Sequence, residues 1–382
     1  MIIDRPTYFK RVTTAIQRSP ITALLGPRQC GKTTLARMIS KDQPATIFDL
    51  ESQPDLRRLQ NPELVLGSLQ GLVVLDEIQL MPELFQTLRV LVDSPQNQAR
   101  FLILGSASPT LVKNMAQSLA GRVEFVDLTG FELSETGIDS WQRLWARGGF
   151  PRSFLAESDE DSLVWREGFI RTFLERDIPQ LGITIPAPAL RRFWTMLAHY
   201  HGQVWNASEL ARALSLSGKT VRSYLDILSG AFMVRPLQPW YENISKRQVK
   251  APKIYLRDSG LLHALLSIGD YHTLLAYPRL GASWEGFVIE QILQSLQLPE
   301  AYFWSTHSGA EVDLFFLFQG YRYGIEIKFS EAPRITRSMH IARQDLNLKH
   351  LWVIHPGPHT YPAEEGITVL SLRDLDLLKA GM

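Results

Sequence analysis

The sequence predicts an α/β protein with a parallel-sheet domain first, a helical segment next and a smaller α/β domain last. Three observations predict this order. The chain has 382 residues, and at about 150 residues per domain that makes two or three units. Between residues 20 and 135, short runs that are apolar on both faces alternate with amphipathic stretches, the pattern of parallel strands joined by helices. Beyond residue 148, helical spacing replaces the strand runs, and strands return after about Ser283.

Taken in order, the expected strands of the first domain are Ile21–Leu25, Ala45–Phe48, Leu72–Leu75, Phe101–Leu104 and Val123–Leu128. Helical patterns over Thr33–Ser40, Leu84–Asp93 and Pro109–Ser118 lie between them. Gly148-Gly149-Phe150-Pro151 is a turn and a domain edge, so the first domain is read as 1–147. Helices over Ser162–Asp177 and Pro188–Tyr200, then a helical and winged-helix unit, fill 148–250. The last unit, 251–382, begins its pattern with a helix over Trp284–Leu296. Strands follow over Tyr302–Trp304, Val312–Phe318 and Tyr321–Lys328, then a helix over Arg334–Leu346 and strands over Leu351–His355 and Thr368–Leu370.

Composition excludes several classes. Apolar residues make up 45% and charged residues 21%, which suits a globular core and excludes wholesale disorder. Forty Lys and Arg face 39 Asp and Glu, a net charge of +1. A polybasic binder acting by bulk charge is thereby excluded, while a local basic patch is not. A single cysteine, Cys30, excludes a disulfide framework and a thiolate zinc site and fits a reducing compartment. No apolar run approaches the roughly 18–20 residues that span a bilayer. The start, Met1-Ile2-Ile3-Asp4-Arg5-Pro6, has an early acid and no apolar segment, so no signal peptide, no membrane and a cytoplasmic location are expected.

The strongest motif is Gly26-Pro27-Arg28-Gln29-Cys30-Gly31-Lys32-Thr33, a G-x-x-x-x-G-K-[ST] phosphate loop set between an apolar strand and a helix that starts at Thr34. Its glycines let the backbone wrap around phosphate, and exposed N–H groups and the helix N-terminus supply positive potential. Lys32 would reach the β- and γ-phosphates of ATP, and the Thr33 hydroxyl would hold Mg²⁺. A second motif, Leu72-Val73-Val74-Leu75-Asp76-Glu77, delivers two acids at the C-terminal end of a strand, the edge where parallel sheets bind ligands. Asp76 is expected in the Mg²⁺ shell and Glu77 beside the attacking water. A third strand ends in Gly105-Ser106-Ala107-Ser108, so Ser106 or Ser108 could meet the γ-phosphate or the water.

Together with the stretches at 119–132 and 148–151, these motifs resemble the bacterial and archaeal AAA-like P-loop ATPases that carry a C-terminal DUF4143 domain. The resemblance runs along nearly the whole chain. It implies ATP and Mg²⁺ as cofactors and ATP hydrolysis as the reaction, with a P-loop NTPase sheet as the fold and a homo-oligomer as an option. An arginine is then expected at the transferred phosphate, often from a neighbouring subunit. Arg122, in Leu119-Ala120-Gly121-Arg122, is the first candidate because it is expected near the nucleotide edge. Arg152, after Gly149-Phe150-Pro151, is the second.

Two further constellations stand out. Residues 204–214, a Ser215–Gly218 turn, 219–228 and a strand at Phe232–Leu237 read as helix, turn, helix and strand, the winged-helix order. Lys219, Thr220, Arg222 and Ser223 sit at the start of its second helix, the part that enters a DNA groove. Between Leu190 and Ser259, eleven bases face four acids, a surplus of seven. Trp240 and Tyr241 lie nearby and could stack on bases. Such a module can equally dock a protein partner or act as a lid. In the last unit, Asp313 precedes Glu326 by twelve intervening residues, Lys328 follows, and Glu285 lies on the preceding helix. This D…E-x-K spacing and the αβββαβ order resemble the PD-(D/E)xK nuclease fold. The resemblance makes Asp313 and Glu326 candidate Mg²⁺ ligands and Lys328 a group that could orient water or stabilise charge, although Val312 stands where a proline usually precedes the first acid.

The leading expectation is an ATPase that couples nucleotide turnover to DNA binding or remodelling. The alternatives are an ATP-dependent nuclease using the C-terminal acids and a nucleotide-gated protein-interaction module.

Overall fold

The computed structural model describes residues 3–106, 109–298 and 300–382. Ser108 lies outside the described residues. The first domain is a five-stranded parallel sheet of β1 (Ile21–Gly26), β2 (Ala45–Asp49), β3 (Gln70–Asp76), β4 (Gln98–Ser106) and β5 (Val123–Asp127), in the order β2-β3-β4-β1-β5. All five expected strands form. Side-chain alternation sends neighbouring residues to opposite faces. Leu24, Leu72, Val74, Leu102 and Leu104 join one core with the Pro6–Arg18 helix. Ala23, Leu25, Val73, Leu75, Phe101 and Ile103 join a second core under the Leu84–Asp93 helix.

The middle segment is helical, as the spacing predicts, but it does not stand apart. Phe169, Phe173, Phe193 and Trp194 belong to the same core as the first face of the parallel sheet. The helix expected over Ser162–Asp177 runs as an α-helix only over Asp159–Thr172 and continues as a π-helical turn over Phe173–Asp177. Such turns often mark functional positions. Next come β6 (Gln203–Val204) and two helices, Ala207–Leu214 and Gly218–Gly230. The side chains of Asn206 and Ser217 cap these two helices by accepting bonds from the N–H groups of Glu209 and Thr220. The following strands, β7 (Val234–Pro239) and β8 (Lys253–Leu256), form an antiparallel hairpin, and β8 also pairs with β6.

That hairpin runs across the expected boundary at residue 250. The boundary separates β7 from its own partner β8, because the apolar run that forms β8 is short and its pairing is not local. The sheet then continues through β9 (Tyr302–Ser305), β10 (Glu311–Phe318), β11 (Tyr321–Ile327), β12 (His350–His355), β13 (Tyr361–Glu364) and β14 (Ile367–Ser371). The nine strands lie in the order β13-β14-β12-β11-β10-β9-β7-β8-β6. The Leu280–Leu296 helix is buried along most of its length, as an apolar surface all round requires. Edge strand β13 escapes the periodicity because it carries Pro362 and is largely exposed. Among the described residues, no helix is long and apolar enough to cross a membrane.

Candidate functional site

The C-terminal edge of the parallel sheet gathers the first two motifs. β1 ends at Gly26, where a side chain would strike the Leu128 carbonyl oxygen at 2.1 Å. Gly31 turns the chain into the Lys32–Lys41 helix with a φ of 101°, a conformation that favours glycine. Lys32 is buried, and its ammonium donates to the carbonyls of Gly26 at 3.0 Å and Pro27 at 2.8 Å. The Thr33 hydroxyl donates to Asp76 Oδ2 at 2.7 Å. Two residues 43 positions apart are thus in contact at the point where a cation bridging them would sit. Burial pushes the Asp76 carboxyl above its usual range, against the pull of the Thr33 hydroxyl.

Glu77 has a φ of 57°, a left-handed backbone, and its N–H donates to Asp76 Oδ1 at 2.9 Å. The Glu77 carboxylate accepts from the Gln79 amide. Gln79 in turn accepts from the Ser106 N–H at 3.3 Å, so the ends of β3 and β4 are tied across the site. Among the described residues the buried Ser106 hydroxyl has no partner. Gln79 was not among the expected site residues; its place two residues after Glu77 is the one sequence signal for it.

Lys32, Thr33 and Glu77 face a cavity of about 500 Å³, lined also by Gln29, Cys30, Gly31 and Thr34. Arg152 stands exposed on its wall. The Arg28 guanidinium lies to one side, 2.8 Å from Asp177 and 3.1 Å from Glu51, with Glu77 at 4.0 Å. Asp177 ends the π-helical turn, so the middle segment reaches the phosphate loop directly. Arg5, which no local pattern marks, holds the loop from below. Its buried guanidinium donates to the carbonyls of Cys30 at 3.1 Å, Thr129 at 3.1 Å and Gly130 at 2.9 Å, and pairs with Glu135 at 2.6 Å.

Arg122 is not at this edge, contrary to its expected place. It precedes β5, whose first residue Val123 pairs with Ile21 at the start of β1. The length of β1, roughly 17 Å at about 3.3 Å per residue, separates it from the phosphate loop. Its guanidinium is bound to Asp93 by two contacts of 2.7 Å. A loop before a parallel strand opens on the N-terminal edge of the sheet, and that topology overrides the helix-to-strand context.

At the start of the Gly218–Gly230 helix, Lys219, Arg222 and Ser223 are exposed, while Thr220 bonds the Ser217 cap at 2.8 Å. The basic surplus around them is smaller than the local sequence predicts. Arg235 and Arg257 pair with Glu290, Lys246 pairs with Asp345, and Lys253 lies among Glu285, Glu311 and Asp313. All of these acids come from outside the segment counted. Trp240 packs on Phe315 at 4.8 Å and Tyr302 at 5.2 Å and donates to Glu242, whereas Tyr241 is 63% exposed with the Lys250 ammonium 5.8 Å over its ring.

The third constellation also assembles. The β10–β11 register sets Leu314 against Ile325, which places Asp313 opposite Glu326. Lys328 pairs with Glu326 at 2.6 Å, and Lys253 reaches Glu285 at 3.1 Å and Asp313 at 3.7 Å. As a metal site the cluster does not fit. The carboxylates converge on an ammonium group, and among the described residues no group of three or more His, Cys, Asp or Glu is arranged to hold a metal ion.

Comparison with known proteins bears on all three units. Residues 18–137 match an AAA domain, residues 138–272 a domain of unknown function (DUF8612), and residues 280–375 another (DUF4143). The uncharacterized proteins Rv2008c of Mycobacterium tuberculosis and Mb2031c of Mycobacterium bovis are each 51% identical over 370 residues, 97% of this chain and 84% of theirs. Among solved structures, the Walker-type ATPase PABY2304 of Pyrococcus abyssi aligns with a TM-score of 0.52 at 15% identity, covering 69% of this chain and 96% of that one. At that identity the likeness is one of fold, an α/β P-loop sheet followed by further domains.

Proposed function

This chain belongs to the family of AAA-domain proteins that carry a DUF4143 domain, and from that premise we propose that it binds ATP with Mg²⁺ and hydrolyses it. The observation that carries the reading is the convergence of Lys32, Thr33 and Glu77 on one open cavity, with Asp76 bonded behind them to the Thr33 hydroxyl and the Glu77 N–H. Among the described residues the Lys32 ammonium has only carbonyl partners, so phosphate oxygens can replace them at a gain in charge pairing. Thr33 and Asp76, already in contact, supply the protein ligands for Mg²⁺, which would neutralise charge on the β- and γ-phosphates. Glu77 then orients the attacking water and draws off its proton once the Gln79 amide lets go. Arg152, exposed on the cavity wall, supports a role in meeting charge on the transferred phosphate from within the same chain.

The test is Glu77→Gln. It should retain ATP binding and lose turnover by about 10²-fold or more, as for removal of a positioned base. Hydrolysis at the wild-type rate would remove Glu77 from this role.

We infer a second layer from the exposed start of the Gly218–Gly230 helix. Helix, turn, helix and hairpin read as a winged helix, with Lys219, Arg222 and Ser223 free to face a DNA groove. Coupling of turnover to DNA is the use this favours. Reversing the charge of Lys219 and Arg222 should weaken duplex binding and flatten its salt dependence by about 0.9 in log–log slope per lost phosphate contact. Unchanged DNA binding, or an ATPase rate indifferent to DNA, would turn the module over to protein docking. A neighbouring copy could bring its own arginine, and sedimentation with and without ATP tests assembly.

A further inference from the structure

The acids of the C-terminal sheet raise a question that their spacing alone cannot answer: what cation do they hold? Glu311 and Asp313 lie two apart on β10 and therefore on one face, and Glu326 stands opposite Asp313 on β11. Glu285 approaches from the Leu280–Leu296 helix. Four carboxylates at this range repel one another, and a protein must supply positive charge, protons or a metal.

We propose that the chain supplies the cation itself: the Lys253 ammonium occupies the position that a divalent metal would take, and the acidic cluster is a socket that locks β8 onto the C-terminal sheet. Lys253 Nζ lies 3.1 Å from Glu285 and 3.7 Å from Asp313 and bonds to Glu311, while its side chain is only 5% exposed. Tyr255, two residues on and on the same face of β8, donates its hydroxyl to Glu285. The second Asp313 oxygen accepts the Ile327 N–H at 2.9 Å, and Glu326 has Lys328. Each of the four carboxylates thus has a cationic partner, and one buried oxygen, Glu326 Oε2, is left without a bond.

Such a site resists a metal for two reasons. Mg²⁺ needs near-octahedral oxygens at about 2.0–2.1 Å and is reluctant to dehydrate, and the Lys253 ammonium already holds the acids that would have to turn to it. Removing Lys253 from the centre would also mean pulling a residue out of a strand paired on both sides, with β7 and with β6. The consequence is that the nuclease-like arrangement of Asp313, Glu326 and Lys328 serves as a metal-free platform. It ties the hairpin of the middle module to the last domain.

The experiment uses full-length Asp76→Asn protein, in which the nucleotide metal site is weakened, titrated with Mn²⁺ and followed by electron paramagnetic resonance and thermal melting. The expected result is no Mn²⁺ bound at the cluster and no rise in melting temperature. Adding Lys253→Met should lower the melting temperature and create a site for one Mn²⁺ per chain. The ion should then raise the melting temperature by about 2 °C or more, and a further Asp313→Asn should abolish that rise. Mn²⁺ bound by the Asp76→Asn protein and lost on Asp313→Asn would overturn the proposal, and so would a folded Lys253→Met protein that gains no Mn²⁺. If Lys253→Met does not fold, the titration of the Asp76→Asn protein decides alone, since a metal held there contradicts the internal cation.

Discussion

Lys32 and Lys253 are both buried, and both sit beside acids brought together by strand ends or strand pairing. They differ in what faces them. Lys32 donates to two backbone carbonyls and lines a cavity of about 500 Å³. Lys253 is sealed among carboxylates contributed by a helix and a strand. A carbonyl is a neutral partner, so it leaves the ammonium's charge available to an incoming anion. A carboxylate cancels that charge and leaves no demand for a ligand. The difference shows how one set of residue types can leave one lysine open to an anion and close another off among carboxylates.

The sharpest way to break that comparison is to remove each lysine in turn. Lys32→Ala should lower affinity for a fluorescent ATP analogue by at least about 10²-fold, as for the loss of a buried charge partner, with little change in melting temperature. Lys253→Met should do the opposite. ATP affinity should hold while stability falls by about 3 kcal/mol, the cost of leaving buried charges without their partner. Matching effects of the two variants on binding would erase the distinction.

Arg5→Met probes whether the open site needs its own internal staple. It leaves the buried Glu135 carboxylate unpaired and frees the carbonyls of Cys30, Thr129 and Gly130. A loss of about 3 kcal/mol in chemical denaturation is expected, together with weaker nucleotide binding. Full stability with normal binding would remove Arg5 from the loop's support.

The two candidate arginines give a smaller contrast. Arg152→Ala, on the cavity wall, should lower turnover about tenfold, the value of one bond to a charged group. Arg122→Ala, on the far edge and paired with Asp93, should leave a dilute protein's turnover unchanged. A large loss with Arg122→Ala, restored by mixing with Glu77→Gln protein, would mean that a neighbouring copy supplies it.

The smallest effect concerns pH and the sealed interior. His263 is buried between the Ala146 carbonyl and the Ser283 hydroxyl, and burial pushes its pKa down to about 3. The folded protein keeps it neutral while the unfolded chain protonates it below about 6.5. Its contribution is therefore present above pH 6.5 and lost as the pH falls toward 3, by about 1 kcal/mol per pH unit. Buried acids with raised pKa values, such as Asp258, act in the opposite sense, so a difference measurement is needed. The destabilisation caused by His263→Gln should shrink between pH 7 and pH 5 in melting curves. A constant difference would mean that His263 is charged in the folded state.

Much of the fold was legible because it is local. All five strands of the first sheet and the Leu84–Asp93 helix follow from periodicity, and β13 fails only because Pro362 and exposure blur its pattern. The pairing of β7 with β8 across residue 250 was not legible, since nothing in the β8 run says which strand it pairs with. The basic surplus of residues 190–259 misled for a related reason: a count along the chain cannot see Glu290 or Asp345 folding back onto it.

By itself, then, the sequence determined the phosphate loop and the acids of β3. Strand, turn and helix are short-range objects, and Lys32, Thr33, Asp76 and Glu77 are placed by their own elements. Tertiary structure alone decided that Arg122 faces away, that Arg5 and Asp177 reach the loop, and that Lys253 fills the acidic socket. Each of those depends on partners 25 or more residues distant in the chain, and such contacts are set by sheet order and packing, which no local pattern encodes.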